Sequence, residues 1–277
     1  MSDLPEPETY MRYAPDQFDL LSEPVPDPAQ PGIRLAPAFR DWWCQQAIDG
    51  RLRAVRRLTA LWWEFLLDSL PSRRRRRYGD VDYDWDHRVD TTSATVNWRD
   101  RLLGLLHSPY QPTDPALFQE MLASLEIDFR NFVFLDIGSG KGRTLLMASD
   151  YPFRRVIGVE LLPELHRVAQ ENIRKYKSDS QQCFALESIW RDARDFTLPA
   201  EPSVIYLFNP LPEPGLVQLL ENLERSLQEH PRPLFVIYHN PLLEHLLAER
   251  TWLKRVGGTH QYSLYSAMGT QDLPFPG

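Results

Sequence analysis

Residues 134–143 read FLDIGSGKGR. Asp136 ends an apolar run, and Gly138, Gly140 and Gly142 follow at alternating positions. Glycine opens left-handed backbone angles and lets a ligand come close to the main chain, so the stretch suits a ligand-binding turn. Its spacing excludes two phosphate-binding turns. A dinucleotide fingerprint, G-x-G-x-x-G, would need glycine where Arg143 stands, and the P-loop pattern G-x-x-x-x-G-K-[ST] also fails. Asp136 would repel a pyrophosphate and attract a cation such as an α-amino group. Other apolar runs also end in polar groups: Glu160 after VIGV, Asp192 in WRDARDF, Asn209-Pro210 after SVIYLF, and Tyr238 and His239 in YHNP.

These groups need elements that bring them to one place, and the pattern from about Thr113 supplies them. Asp114 and Pro115 open a helix over TDPALFQEMLASLEI as N-cap and first-turn proline. NFVFLDIG then reads as a strand, GRTLLMASD as a helix, RRVIGVE as a strand, and LPELHRVAQENIRKYK as a helix opened by Pro163 and Glu164. A further strand falls in 182–190. SVIYLFNP, PLFVIYHNP, WLKRV and QYSLYSA read as strands, with helices over GLVQLLENLERSLQEH and PLLEHLLAER. Strands alternating with helices predict an α/β fold with a doubly wound parallel sheet. In such a sheet ligands sit at the carboxyl ends of the strands, near the switch point.

D-x-G-x-G-x-G, with an acid ending the next strand, resembles motif I and its partner acid in the class I S-adenosylmethionine-dependent methyltransferases. The resemblance covers about 113–269. It implies a Rossmann-like sheet of seven strands, the last antiparallel, and S-adenosyl-L-methionine as cofactor with S-adenosyl-L-homocysteine as product. On this likeness Asp136 meets the cofactor's amino group, while Gly138, Ser139, Gly140, Lys141 and Gly142 line its methionine and ribose. Glu160, with Leu161 beside it, accepts both ribose hydroxyls. Asp192, with Ala193, receives the adenine amino group, and Asp195 is a rival in the same turn. Asn209 stands at the motif IV position. Amino-methylating relatives carry [DNS]-P-P-[YFW] there, whereas Leu211 and Pro212 replace the second proline and the aromatic, which speaks against a nucleobase acceptor.

Methyl transfer from a sulfonium is an in-line displacement, so alignment can supply about 7–11 kcal/mol of the barrier reduction. A base is needed only if the acceptor arrives protonated. Candidate catalytic residues are Asn209, Tyr238 and His239, with a structural role open for each. The stretch PYQPTDPALF resembles the loop before motif I in Dot1-like protein-lysine methyltransferases. That resemblance implies Tyr110 and Thr113 as cofactor contacts and a protein lysine as acceptor; a proline-rich connector is the other reading. The wider chain is similar to uncharacterised bacterial class I methyltransferases with YGD…DTT before the motif I domain.

Ahead of this domain, assigned to 113–277, lies an extended arm (1–36); eight of the 24 prolines fall before residue 40, seven in the arm and the eighth at Pro37. A helical extension or lid (37–112) follows. Leu52, Val55, Leu58, Trp62, Phe65 and Leu66 recur there at helical spacing, ended by Pro71. Arg73 to Arg77 are followed at once by Asp80, Asp82, Asp84, Asp86 and Asp90, so mutual neutralisation or a solvated connection is expected. DVDYDWD fails the calcium-loop pattern, with Trp85 where glycine is needed and Thr91 where glutamate is needed, and no metal set is assigned. Net charge is −7, which disfavours nucleic acid as a partner. Cys44 and Cys183 fit neither a disulfide framework nor a zinc motif, and no signal peptide or membrane span is visible. A cytoplasmic enzyme is the expectation. The methyl acceptor is unassigned between a protein lysine and a small molecule. A non-catalytic cofactor-binding module and a nicotinamide-dependent dehydrogenase are the rivals.

Overall fold

The computed structural model describes residues 81–92 and 112–267, together with Arg40, Trp43, Val55, Arg56, Leu58 and Thr59. The arm, Tyr110, Arg73 to Arg77 and most of the helical extension lie outside the described residues. The six isolated positions are helical, as the spacing predicts, although Val55 is exposed.

Seven strands form: β1 (Val133–Ile137), β2 (Arg155–Glu160), β3 (Leu186–Trp190), β4 (Ser203–Leu207), β5 (Leu234–His239), β6 (Leu253–Gly258) and β7 (Tyr262–Ala267). They make one sheet in the order β3-β2-β1-β4-β5-β7-β6. β1 to β5 pair in parallel, and β7 runs antiparallel to both β5 and β6. This is the expected doubly wound sheet with its last strand reversed. The order reverses between β1 and β4, which places the switch point at the ends of those two strands.

Helices cover both faces: α1 (Val81–His87), α2 (Pro115–Ala123), α3 (Arg143–Ser149), α4 (Pro163–Lys175), α5 (Glu213–Glu229) and α6 (Glu244–Ala248). Central strands buried on both sides read as continuous apolar runs, which is why β1 and β4 lack polar alternation. On one face Phe134, Val204, Tyr206 and Ile237 pack with Phe118, Met121 and Leu122 of α2 and Leu145 of α3. On the other, Leu135, Ile205, Val236 and Tyr238 pack with Leu216, Leu219 and Leu223 of α5 and Leu247 of α6. Asp114 caps α2 as expected, its carboxylate accepting from Leu117 N at 2.9 Å. Cys183 is a buried free thiol. Among the described residues, no helix is long and apolar enough to cross a membrane.

Residues 81–92 correct one expectation. They are not a solvated connection: Val81–His87 is helical and the segment docks on the domain. The Tyr83 ring stacks on His87 at 4.3 Å, and His87 stacks on Tyr176 at the end of α4 at 5.3 Å.

Candidate functional site

The turn after β1 is built by main-chain bonds around three left-handed glycines. Gly138 N and Ser139 N both donate to Val159 O, at 2.8 and 3.2 Å, drawing the loop over the tip of β2. Gly138, Gly140 and Gly142 all have positive φ. A Cβ added at Gly138 would stand 2.8 Å from Pro210 Cβ, so the loops after β1 and β4 touch at the switch point. Gly142 then starts α3 against Ala169 of α4.

The two acids lie at neighbouring strand tips, as the spacing predicts. Glu160 is buried; Oε2 accepts from Gly140 N at 2.7 Å and Oε1 from Leu162 N at 2.8 Å. These bonds station the carboxylate against the glycine loop. Asp136 is 3% exposed, and Thr144 Oγ1 donates to its Oδ2. Burial, reinforced by the nearby Glu160 charge and opposed by the Thr144 bond, pushes the Asp136 carboxyl up to about 7. A buried acid in that state is poised to gain from a cation placed beside it. Leu161 O accepts from the Trp190 indole at 3.0 Å, which fixes the chain beyond Glu160.

Asp192 and Ala193 follow β3. Asp192 caps a short 3-10 turn, accepting from Arg194 N at 2.9 Å, and its carboxylate also pairs with the Arg194 guanidinium. Asp195, the rival in the same turn, is exposed.

Sequence reasoning missed the partners of Lys141 and Arg143. These cations keep only 1% and 2% exposure in the glycine loop and the start of α3. Lys141 Nζ donates to Asp90 Oδ1 at 2.8 Å and Thr92 O at 2.7 Å. Arg143 donates to Thr91 Oγ1 at 2.6 Å and to Asp84 Oδ1 at 3.2 Å, and its guanidinium lies 4.8 Å from the Tyr83 ring centre. Asp84 also accepts from Thr91 N, Thr91 Oγ1 and Thr92 N. Asn172 of α4 ties the layers together, bonding Asp90 N, Asp90 O and Lys141 O. One signal was available: two cations this close to the buried end of β1 require acidic partners.

The polar groups at the ends of β4 and β5 divide into two sets on opposite faces. Asn209, with φ +45°, donates to Asn240 O at 2.7 Å and accepts from the Tyr238 hydroxyl at 2.9 Å. Leu243 N donates to the same hydroxyl. On the other face His239 Nδ1 lies 2.7 Å from the Tyr206 hydroxyl, which is 2.8 Å from Thr113 Oγ1. Thr113 is therefore held by the Tyr206 hydroxyl. Burial lowers the His239 pKa to about 4, so the imidazole is neutral at pH 7, and its ring stacks on Phe208 at 3.9 Å. Tyr238 and His239, adjacent on β5, thus do not share one pocket wall.

No protein-family model matches the sequence, and no curated protein matches it. Among solved structures it resembles an RNA methyltransferase from Salinibacter ruber in complex with S-adenosyl-L-homocysteine. Identity is 20%, with 59% of this chain and 96% of that one covered, at a TM-score of 0.40. It also resembles a SAM dependent methyltransferase from Aquifex aeolicus (18%; 56% and 98%; 0.40). A third is a predicted N6-adenine-specific DNA methylase from Listeria monocytogenes (15%; 57% and 52%; 0.43), of which the chain spans about half. Two of the three are named for RNA or DNA.

Proposed function

We propose that this chain is an S-adenosylmethionine-dependent methyltransferase. One observation carries the reading: two buried acids, Asp136 and Glu160, flank a left-handed glycine loop at adjoining strand tips beside the switch point. The residues fit the cofactor. Asp136 holds a raised pKa that a cationic amino group would relieve, and Glu160 is stationed where ribose hydroxyls would meet it. Gly138 to Gly142 would line the methionine and ribose, and Asp192 with Ala193 the adenine, once Arg194 swings off the Asp192 carboxylate. When bound, S-adenosylmethionine supplies a methyl group already activated on sulfonium. The protein then has to orient the acceptor and exclude water.

On the acceptor side the chain offers two separate sets, Asn209 with Tyr238 on one face of the β4 and β5 tips and His239 with Phe208 on the other. Asn209 acts here as a clamp that bonds Tyr238 and the Asn240 carbonyl, and so keeps Pro210 against Gly138. Neutral His239, held through Nδ1 by Tyr206, stays the catalytic candidate as a polar group that orients the acceptor, since a pKa of about 4 makes it a weak base at neutral pH. A protein lysine is the proposed acceptor, supported by the loop likeness at 109–118; a small molecule is the alternative. Transfer of labelled methyl groups into lysate, separated into protein, RNA and small-molecule fractions, tests this. Label in protein supports the lysine reading, and label in another fraction replaces it. No transfer despite tight cofactor binding would favour a non-catalytic module, a reading motivated by the departure of Leu211 and Pro212 from the motif IV pattern and by the bonds that tie Asn209 to Tyr238 and Asn240.

A further inference from the structure

The glycine loop carries two cations in its own sequence, Lys141 and Arg143, yet the ligand read for it is itself cationic. The loop's N–H groups are taken within the protein, Gly138 and Ser139 by Val159 O, Gly140 by Glu160 Oε2 and Gly142 by Ser139 O, so the two basic side chains set its own charge, and by themselves they would suit an anion such as phosphate. The segment 81–92 changes that. It brings Asp90 to 2.8 Å from Lys141 Nζ and Asp84 to 3.2 Å from Arg143 Nη2, both cations being almost completely buried. Asp84 is fixed by three donors from Thr91 and Thr92, and Asp90 is held at its main chain by Asn172. The Lys141 and Arg143 charges are buried and poorly screened, so the acids that face them are felt across the loop.

We propose that Asp84 and Asp90 are specificity-determining residues: by cancelling Lys141 and Arg143 they leave Asp136 and Glu160 in control of the local field, and so favour a sulfonium nucleoside over its neutral thioether and over phosphorylated nucleosides. The inference rests on the reading of this site as one for S-adenosylmethionine. It adds residues more than forty positions upstream of the glycine loop to the machinery that chooses the cofactor.

S-adenosylmethionine carries one more positive charge than S-adenosylhomocysteine, so the ratio of their affinities reads the field directly. Calorimetry on the full chain at low salt would measure both ligands. Asp90, whose side chain is 45% exposed, can be changed with little risk to folding. Asp90→Asn is expected to lower the affinity ratio, S-adenosylmethionine over S-adenosylhomocysteine, by about twofold to fourfold, the effect of one uncancelled charge at moderate range. Adding Lys141→Met to Asp90→Asn should return the ratio to the wild-type value, because the uncancelled charge is gone. Asp84→Asn should shift it in the same direction as Asp90→Asn. A purely structural role would weaken both ligands alike and leave the ratio fixed. An unmoved ratio in Asp90→Asn, or no recovery in the double variant, overturns this inference alone. A wild-type protein that binds neither ligand overturns the cofactor reading and this inference with it.

Discussion

At the tips of β1 and β2, Asp136 and Glu160 are both buried, burial and the nearby Glu160 charge raise the cost of ionising Asp136, and Asp136 has one hydroxyl donor, on one oxygen. At the tips of β4 and β5 the polar groups answer one another instead: Asn209 with Tyr238 and Asn240, His239 with Tyr206, Tyr206 with Thr113. Both regions sit on one rigid sheet and meet where Pro210 abuts Gly138. The first stores electrostatic tension that a cationic ligand would release. The second is satisfied without a ligand. A site that stores tension should show large effects on binding when altered, and a satisfied one should show effects on stability.

The largest expected effect breaks the first region. Glu160→Ala should weaken S-adenosylhomocysteine binding by about 2–4 kcal/mol, from two lost charge-assisted bonds. Calorimetry showing unchanged affinity would remove Glu160 from the site. Gly138→Ala attacks the junction. A side chain at φ +81° with 2.8 Å to Pro210 should cost about 1–3 kcal/mol of stability, seen in urea unfolding, and should weaken the cofactor as well.

The pH dependence separates the regions further. The ordinary Asp136 value is 3.8 and its folded value is about 7, so the folded protein holds this proton more tightly across that window. Stability contributed by the proton is complete below the lower value and falls as pH rises toward 7. A cation bound beside Asp136 displaces the proton, so S-adenosylhomocysteine affinity should rise with pH up to about 7, by at most about tenfold per unit. Asp136→Asn should flatten that slope. A wild-type slope as flat as the variant's would contradict the assignment.

In the second region, Tyr206→Phe should cost about 1–2 kcal/mol of stability, because it leaves Thr113 and His239 without their shared partner. It should change cofactor affinity little. The smallest effect is expected from Asn209→Ala, about 0.5–1.5 kcal/mol, read by thermal or urea unfolding. A variant at Tyr206 or Asn209 that abolished cofactor binding while folding normally would dissolve the contrast between the two regions.

The first region was legible because its signals are local. Three glycines, an acid and a β-strand pattern fall within ten residues, and Glu160 ends the next predicted strand. Capping by Asp114 and the boundaries of most strands are local in the same sense. The docking of 81–92 was not legible, since Asp84 and Asp90 meet Arg143 and Lys141 across 59 and 51 positions. Seen beside Arg73 to Arg77, those acids had a nearer explanation. The Tyr206 network was hidden for a related reason: a tyrosine in SVIYLFNP reads as one more apolar strand residue, and only the sheet register sets its hydroxyl against Thr113 and His239. Likewise Tyr238 and His239 look like a single polar cluster in sequence, and the two-residue period of β5 sends them to opposite faces.

The most direct measurement is a calorimetric titration of the full chain with S-adenosylhomocysteine, run beside NADH as the competing nucleotide. The account predicts saturable binding of S-adenosylhomocysteine, strongly reduced in Glu160→Ala, and no binding of NADH. Binding of NADH without S-adenosylhomocysteine would contradict it and return the glycine loop to the dinucleotide enzymes.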